Sequence, residues 1–306
     1  MKNSRFFRQA EFLLQILPFF AREKRFALKG GTGINFFVRN LPRISVDIDF
    51  AYLPINSREE ALKDISIILA ESAKRIEQGL SINRIEKKYV KGSKKIAGLI
   101  VFKDDISIKI EPNLVIRGSV FPARKMSLCT SAQELFEQSI DFTILSLPDI
   151  YGGKICAVLD RQHPRDLFDI NVLLENEGFT DDIRKSFIVY LISHPRPMFE
   201  LLNPNLINIS QVYENEFRGM TKKDISCKVL EQTRVTLIKL IKEKLTTKER
   251  HFIVSVKELN PQWDLLGIKN VKELPAVKWK LLNLRSMGKS KHQSAVKKLK
   301  DYLEIV

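Results

Sequence analysis

Cysteine and histidine are scarce and scattered in this sequence, which limits the chemistry it can carry. The 306 residues include three cysteines and four histidines, with no CxxC pair and no cysteine–histidine cluster. This spacing excludes a zinc-finger type of site and argues against a disulfide framework. No histidine stands with a serine or cysteine in a triad-like order, so none is assigned a catalytic role.

The sequence also lacks an uninterrupted apolar run of membrane-spanning length. Its N-terminal segment, MKNSRFFRQAEFLLQILPFF, is interrupted by charged and polar residues, and no small-residue cleavage site follows it. The segment therefore predicts an amphipathic helix rather than a signal peptide. We expect a cytoplasmic protein without a membrane partner.

Acidic residues are outnumbered by basic ones. The sequence has 36 Asp and Glu against 51 Lys and Arg, a formal net charge of +15. Such an excess attracts polyanions and favours nucleic acid or a nucleotide as partner, although it also serves solubility. The Lys-rich C-terminal segments, with Trp263 and Trp279, leave two interpretations open: a surface that grips RNA, or solvated lysines above core tryptophans.

Two aspartates stand two positions apart in the strand pattern ISVDIDFAYL. Alternation along a strand places Asp47 and Asp49 on one face, and Ile48 and Phe50 on the other. Two carboxylates on one face repel each other, and a divalent cation relieves that repulsion. Mg²⁺ takes one or two carboxylates and completes its shell with water and substrate phosphates, and Mn²⁺ is an alternative. The pattern also fits an exposed polar strand face without a metal.

A third carboxylate, Glu111, lies on the polar face of the predicted strand ISIKIEPN, in a hairpin from Lys95 to Asn113. If this strand pairs beside the one that carries the aspartates, three carboxylates converge and form a group able to hold two metal ions. Glu111 is then a candidate metal ligand and catalytic residue. The alternative is a surface glutamate ahead of Pro112.

Adjacent glycines precede Thr32 in the segment LKGGTGINFF. Gly30 and Gly31 let the backbone approach a ligand closely, and Thr32 begins a predicted helix whose free N–H groups favour an anion. The segment is not a Walker loop, because no G-K-[ST] follows, nor a dinucleotide fingerprint, because Phe36 stands at the third glycine position. It is either a structural turn or a phosphate cradle beside the two aspartates.

A third group of charged residues lies in the segment KICAVLDRQHPRDLFDI. Lys154 is a candidate for binding triphosphate oxygens, and Asp166 for orienting that lysine or an acceptor hydroxyl. The alternative for Asp166 and Asp169 is stabilisation of a helix that begins at Pro164, through the helix macrodipole. The apolar residues of that helix fall on the opposite face, so both acids are predicted to lie outside the core.

Together, the segments LKGGTGINFFVRNLPRISVDIDF, IKIEPN and KICAVLDRQHPRDLFDI resemble the AbiEii-type nucleotidyltransferase toxins of bacterial abortive-infection and toxin–antitoxin systems. That family belongs to the DNA polymerase β-like nucleotidyltransferase superfamily. The resemblance implies an α+β fold. A nucleotidyltransferase core, with a small mixed sheet flanked by helices, would occupy residues 1–178, and an all-helical C-terminal domain would occupy residues 179–306.

The resemblance also implies roles for the matching residues. It implies a nucleotide site, a metal site and a downstream catalytic pair, formed respectively by Gly30, Gly31, Thr32, Ser45 and Lys154, by Asp47, Asp49 and Glu111, and by Lys154 and Asp166. Ser45 matches a serine of functional importance in some relatives, and its role here is open. Glu111 departs from the aspartate common in the family, which changes the reach of the third carboxylate.

The predicted function is that of a Mg²⁺-dependent nucleotidyltransferase toxin. An RNA hydroxyl, with the 3′ end of tRNA as the expected acceptor, attacks the α-phosphate of a nucleoside triphosphate and releases pyrophosphate. The resemblance implies a cognate antitoxin or regulator as partner. Three alternatives stay open: nucleotidylation or phosphorylation of a protein hydroxyl, a DxD glycosyltransferase, and a non-catalytic RNA- or antitoxin-binding protein with a degenerate site. The glycosyltransferase needs a parallel nucleotide-binding sheet ahead of the aspartates, and few residues precede them here.

Overall fold

This computed structural model describes residues 4–305; residues 1–3, where the predicted N-terminal helix was to begin, and residue 306 lie outside the described residues. The strands are β1 Phe26–Lys29, β2 Asp47–Tyr52, β3 Ile85–Tyr89, β4 Ile96–Lys103, β5 Ile106–Asn113, β6 Arg124–Ser127 and β7 Asp141–Ile144. The helices are α1 Arg5–Ile16, α2 Gly30–Gly33, α3 Arg58–Leu80, α4 Thr130–Phe136, α5 Leu147–Arg161, α6 Pro164–Glu175, α7 Asp181–Ser193, α8 Met198–Leu202, α9 Ser210–Glu216, α10 Cys227–Lys244, α11 Thr247–Lys257, α12 Pro275–Arg285 and α13 Lys289–Leu303. The predicted α+β class is confirmed.

The seven strands form one mixed sheet in the order β3-β4-β5-β2-β1-β7-β6. The pairs β1–β7 and β2–β5 are parallel, whereas the neighbouring pairs β3–β4, β4–β5, β1–β2 and β6–β7 are antiparallel. Strand β2 therefore lies between β1 and β5, near the middle of the sheet. Any functional residue on β2 has backbone support on both sides.

Local sequence signals account for several of these elements. Helix α3 begins with a capping box, in which the Ser57 hydroxyl accepts from the Glu60 N–H and the Glu60 carboxylate accepts from the Ser57 N–H. The predicted hairpin is confirmed as β4 and β5, joined by a two-residue turn in which Asp104 takes φ +50°. On β2, Ile48 and Phe50 are fully buried, as the alternation predicts.

Packing divides the chain into two compact units. The first contains the chain up to Ser146 together with Gly219–Asp224, and the second contains Leu147–Arg218 and the chain from Ile225 onward. The return segment joins the first unit by backbone pairing: the Ile44 N–H donates to the Met220 carbonyl at 2.8 Å, and the Lys222 N–H donates to the Pro42 carbonyl at 3.0 Å. Within the second unit, α5 packs against α7 and α6 packs against α10. The domain boundary predicted at residue 178 stays a prediction.

The contact between α5 and α7 depends on a glycine. A Cβ atom added at Gly152 would lie 2.7 Å from Ser186 Oγ and 2.8 Å from the Phe187 backbone nitrogen. Backbone atoms of a packed helix cannot move aside as a flexible side chain can. The absent side chain therefore sets how closely the two helices approach.

We expect Gly152→Ala to lower the free energy of unfolding by about 1–3 kcal/mol, because overpacking outweighs the gain in helix propensity. Gly153→Ala is the matched control one position along, where the added Cβ would meet the Tyr190 ring at 3.2 Å. That variant should change stability much less, since a side chain can shift. Chemical denaturation of both variants tests this, and equal stabilities would contradict it.

Within residues 4–305, no helix combines the length and apolar character that crossing a membrane requires.

Trp279 is 52% exposed, so the interpretation of both tryptophans as core residues is wrong for this one. Its neighbours on α12 explain why: Ala276, Val277 and Lys280 take the buried side of the helix.

Candidate active site

The glycine turn lies directly against the second aspartate of β2. Gly30 has φ +66°, and a Cβ atom built on it would lie 2.6 Å from Asp49 Oδ2 and 3.3 Å from Asp49 Cβ. A residue with a side chain would therefore be strained in its backbone and would also displace the carboxylate. The sequence places these residues 19 positions apart, and the antiparallel pairing of β1 with β2, which sets Lys29 opposite Asp49, brings them together.

The next residues of the turn contact the segment that leads into β2. A Cβ atom on Gly31 would lie 2.6 Å from Arg43 Nη2 and 2.9 Å from Ser45 Oγ. The Thr32 hydroxyl donates to the Asp47 carbonyl at 2.6 Å and lies 2.9 Å from Ser45 Oγ. Thr32 and Ser45 are buried, so these polar contacts hold the turn on the strand.

The helix predicted from Thr32 to about Val38 begins two residues earlier, at Gly30, and changes type along its length. An α-helical turn covers Gly30–Gly33, and a π-helical turn covers Ile34–Val38. Buried Asn35 donates from Nδ2 to the Gly31 carbonyl at 2.8 Å. Single π-helical turns are frequent at functional sites, where they adjust the aim of nearby groups.

The predicted pairing of the two acidic strands is confirmed. Strand β5 runs parallel to β2 with Asp47 opposite Lys109 and Asp49 opposite Glu111. Opposed residues on neighbouring strands share a face, so all four side chains emerge on the same side of the sheet. Both aspartates are half-buried and Glu111 is exposed. The turn, the two aspartates and Glu111 thus occupy one region of the first unit.

Glu111 has a cationic partner in this structure. Its Oε1 lies 2.7 Å from Lys88 Nζ. Lys88 is on β3, opposite Gly98 of β4, and this glycine leaves room for the lysine to cross β4 to Glu111. Among residues 4–305, no three His, Cys, Asp or Glu side chains come together in a group that would hold a metal ion. The role of Glu111 as metal ligand stays a prediction.

The donor set at the turn fits a hard divalent cation. Asp47 and Asp49 offer carboxylate oxygens on one strand face, and Mg²⁺ is commonly held by one or two carboxylates plus substrate phosphates. The close approach of Gly30 to Asp49 leaves space where a side chain would otherwise stand. The residues present therefore fit a magnesium–triphosphate ligand without a third protein carboxylate.

Arg43 also belongs to this region, although no role was predicted for it. Its guanidinium lies beside Gly31, it is 3% exposed, and its Nη1 donates to the Ile44 carbonyl at 2.9 Å. A signal was available, because Arg43, Ser45, Asp47 and Asp49 alternate with apolar residues in period two. A buried arginine beside a glycine turn supplies positive charge where a phosphate would approach.

Gly30→Ala should reduce catalytic activity by about a hundredfold, since a displacement of about 1 Å at a reacting group has an effect of that order. The matched control is Gly92→Ala in the same unit: Gly92 has φ +72° and no atom within 4 Å of an added Cβ. Both variants strain a positive-φ position, but only Gly30→Ala presses on Asp49. Equal activities in steady-state assays would contradict the proposed role of the turn.

Lys154 and Asp166 belong to the second unit, where they form a buried charge cluster with Asp169. Lys154 Nζ lies 2.7 Å from Asp166 Oδ1 and 3.0 Å from Asp169 Oδ2. Arg161 adds a second cation, with its Nε 2.7 Å from Asp166 Oδ2. Asp166 is 2% exposed and Asp169 is fully buried, so the prediction that these acids lie outside the core is wrong. The cause is Lys154, which comes from α5 and neutralises them inside the unit.

The charges of this cluster are mutually stabilised. Burial alone raises the pKa of the Asp166 carboxyl, but the nearby Lys154 and Arg161 charges outweigh it and hold that pKa well below its ordinary value. Asp166 is therefore ionised at neutral pH. It also lies in the first turn of α6, where a negative charge is favourable, as one of the sequence interpretations held.

Comparison with known proteins identifies a family and a similar fold for this chain. No curated protein sequence matches the chain. Among solved structures, the fold is similar to that of MenT4, a nucleotidyltransferase toxin from Mycobacterium tuberculosis H37Rv, with a TM-score of 0.57 and 13% identity over 92% of this chain and 94% of that one. A model of the family described as nucleotidyl transferase AbiEii toxin, type IV toxin–antitoxin system, matches residues 11–264. Since that match spans most of the chain, the protein belongs to the AbiEii nucleotidyltransferase toxin family.

Proposed function

We propose that this enzyme transfers a nucleotide from a nucleoside triphosphate to an RNA hydroxyl, with the 3′ end of tRNA as the expected acceptor. The proposal rests on the close approach of Gly30 to Asp49. This approach places a glycine turn, which has no side chains at Gly30 and Gly31, beside two carboxylates on one strand face. A triphosphate needs both features: backbone that it can approach closely and acidic residues that retain its metal ion.

The metal ion in this proposal is Mg²⁺, with Mn²⁺ as the alternative. Asp47 and Asp49 would hold it. Glu111 would join them once its ion pair with Lys88 is broken. When bound, the ion would neutralise charge on the phosphates and on the leaving pyrophosphate. Each of these ligand assignments is tested by the neutral amide variant of the same residue.

The remaining residues of the turn bind and orient the triphosphate. Gly30 and Gly31 offer their backbone, and buried Thr32 and Ser45 fix that backbone to β2 through their hydroxyl groups. The guanidinium of Arg43, held beside Gly31, supplies a fixed positive charge. In the reaction, the acceptor oxygen bonds to the α-phosphorus, the bond to the β-phosphate bridging oxygen breaks, the hydroxyl proton is released and pyrophosphate leaves.

The acceptor assignment is supported by charge. A net charge of +15 draws the chain toward a polyanion and weakens that attraction at high salt. The protein is proposed to act in the cytoplasm as a growth-inhibiting toxin, with a cognate antitoxin as its protein partner. A protein hydroxyl as acceptor would use the same carboxylates and glycine turn, and product analysis separates the two.

The test is transfer of label from each of the four nucleoside triphosphates, labelled in the α-phosphate, into total tRNA and into total protein. Each reaction runs with Mg²⁺, with Mn²⁺ and with a chelator. Metal-dependent label in tRNA is expected and would identify the nucleotide. Label in protein alone would move the acceptor to a side chain, and no label in either fraction would contradict nucleotide transfer.

A further inference from the structure

A cavity in the second unit carries an unusual amount of buried positive charge. Its volume is about 530 Å³, within the range of small-ligand sites. Residues of α8, α11, α12 and α13 line it, including Lys257, Lys280, Lys291 and Lys298. Glu200 is the one acidic residue among its described lining residues, and it lies 3.5 Å from Arg196. Nothing in the transfer reaction at the glycine turn accounts for this concentration of lysines.

The environment of Lys257 is the main evidence for a ligand in this cavity. The residue is 6% exposed, and among residues 4–305 the one group within hydrogen-bond distance of its Nζ is the Met287 sulfur at 3.8 Å. An ammonium group has three donors, and a thioether is a weak acceptor. Burial of such a group without an oxygen partner is unfavourable, so an anionic ligand that enters the cavity would stabilise the Lys257 ammonium.

Lys280 adds a second buried ammonium to the same cavity. It is also 6% exposed, and its Nζ donates to the His194 carbonyl at 2.6 Å and to the Arg196 carbonyl at 2.7 Å. These carbonyls follow the C-terminus of α7, so Lys280 also stabilises a helix end. Burial, and then the charge of Lys257, lower the pKa of Lys280 to about 8. An anion between the two lysines would relieve that repulsion.

Part of the cavity lining is apolar. Met198 and Leu284 are buried, and Phe199 and Met287 are half-buried along its lining. A ligand that satisfies both parts has a compact anionic group and a flat or apolar body. Lysines bind phosphate as point charges, and aromatic and thioether side chains pack well against a base.

We propose that this cavity binds a nucleotide, with its phosphate against Lys257 and Lys280 and its base against the apolar lining. The nucleotide is either free or one unit of an RNA chain. The site lies wholly within the second unit, and the inference does not depend on nucleotide transfer at the glycine turn. It assigns a ligand to the Lys-rich C-terminal helices, where one sequence interpretation placed RNA contacts.

The test is isothermal titration of the full chain with AMP and with a short single-stranded oligoribonucleotide, in the presence of a chelator. Lys257→Met should weaken binding by about tenfold or more, because a charge-assisted hydrogen bond is lost. Binding of both probes would identify a free nucleotide as sufficient, and binding of the oligoribonucleotide alone would identify RNA as the source. Either result supports the site, provided that Lys257→Met weakens it. No binding of either probe, or equal binding by Lys257→Met, would overturn it.

Two adjacent exposed lysines on α13 provide a second test, which applies if Lys257→Met does not fold. Lys298 lines the cavity, whereas the adjacent exposed Lys297 does not. Lys298→Met should weaken binding several-fold, and Lys297→Met, which removes the same charge, should leave it unchanged. Equal losses in both variants would reduce the effect to general electrostatic attraction and overturn the site.

The stability of Lys257→Met provides an independent readout. Burial lowers the pKa of Lys257 below its ordinary 10.5, so the unfolded chain binds more protons between the two pKa values and stability rises with pH there. The variant should therefore have a higher Tm than wild type at neutral pH without ligand. That gain should shrink as the pH rises toward 10.5, while the other charged groups of the cavity, Lys280, Lys291, Lys298 and Glu200, remain in both proteins. A lower Tm would show that the Lys257 side chain contributes packing, and the paired variants of Lys298 and Lys297 would then decide the site.

Discussion

Replacing Asp49 with asparagine is expected to lower nucleotide transfer by about a thousandfold or more, because the loss of a metal ligand removes several kcal/mol of transition-state stabilisation. Asparagine keeps the size of the side chain, so its contact with Gly30 is preserved. The change removes one negative charge and leaves the geometry of the turn in place. The measurement is the steady-state rate of label transfer, with the Tm recorded in parallel.

The structural reason for this large effect is the position of Asp49 in the sheet. Strand β2 is held between β1 and β5, so the sheet fixes the position from which the Asp49 carboxylate emerges. Lys29 on β1 and Glu111 on β5 flank it in register. Asp47→Asn should have a comparable effect, since both aspartates emerge on the same strand face.

Glu111→Gln is the matched comparison for this prediction. Glu111 is in register with Asp49 but forms an ion pair with Lys88, and both side chains are about half exposed. An exposed pair contributes little to stability, so the variant isolates catalysis. A loss as large as that of Asp49→Asn would establish Glu111 as a third ligand. Full activity in Asp49→Asn, with the Tm unchanged, would contradict the proposed metal site.

Replacing Lys154 with methionine is expected to lower the free energy of unfolding by about 3–5 kcal/mol, the range observed when one partner of a buried ion pair is removed. The variant loses the ammonium that contacts both Asp166 and Asp169 inside the second unit. Two buried carboxylates then lack their shared cation. Chemical denaturation of the full chain measures the effect.

Arg161→Met is the control for this second prediction. Arg161 contacts the same Asp166 carboxylate, but 63% of its side chain is exposed. Its loss should be several-fold less destabilising, because solvent can replace the interaction. If Lys154→Met proves as stable as Arg161→Met, the cluster is not a structural element of the second unit.

Activity then separates a structural lysine from a catalytic one. Lys154→Met is assayed at a temperature where denaturation shows it folded, so any residual loss of rate reports on chemistry.

The lowered pKa of Asp166 also makes the stability of the protein depend on pH. Its contribution to stability is present above the unfolded value near 3.8 and is lost as the pH falls through the lower folded pKa. The Lys154→Met variant should show less of this acid sensitivity than wild type.

Much of the first unit follows from local sequence signals. The capping box of α3, the hairpin of β4 and β5, and the alternation of Asp47 and Asp49 with Ile48 and Phe50 each depend on residues close in the chain. Periodicity and capping act over a few residues, so a single sequence is sufficient to predict them. The ordered motifs were also sufficient to indicate the family, which the match over residues 11–264 confirms.

Other features of the structure depend on which distant segment packs against each face of a helix or strand. Pairing of the segment near Ile44 with Gly219–Asp224, the reach of Lys88 across Gly98 to Glu111, and the burial of Asp166 by Lys154 all join residues from different elements. A helical or strand period shows that a face is polar, but it does not show what lies against that face. Local patterns in the sequence were sufficient to predict the start of α6, the hairpin, the acidic strand and the glycine turn. Only contacts across the fold show that Asp166 and Asp169 are buried, that Arg43 lies at the turn and that Lys257 has no oxygen partner among residues 4–305, because charge neutralisation and burial arise from distant segments.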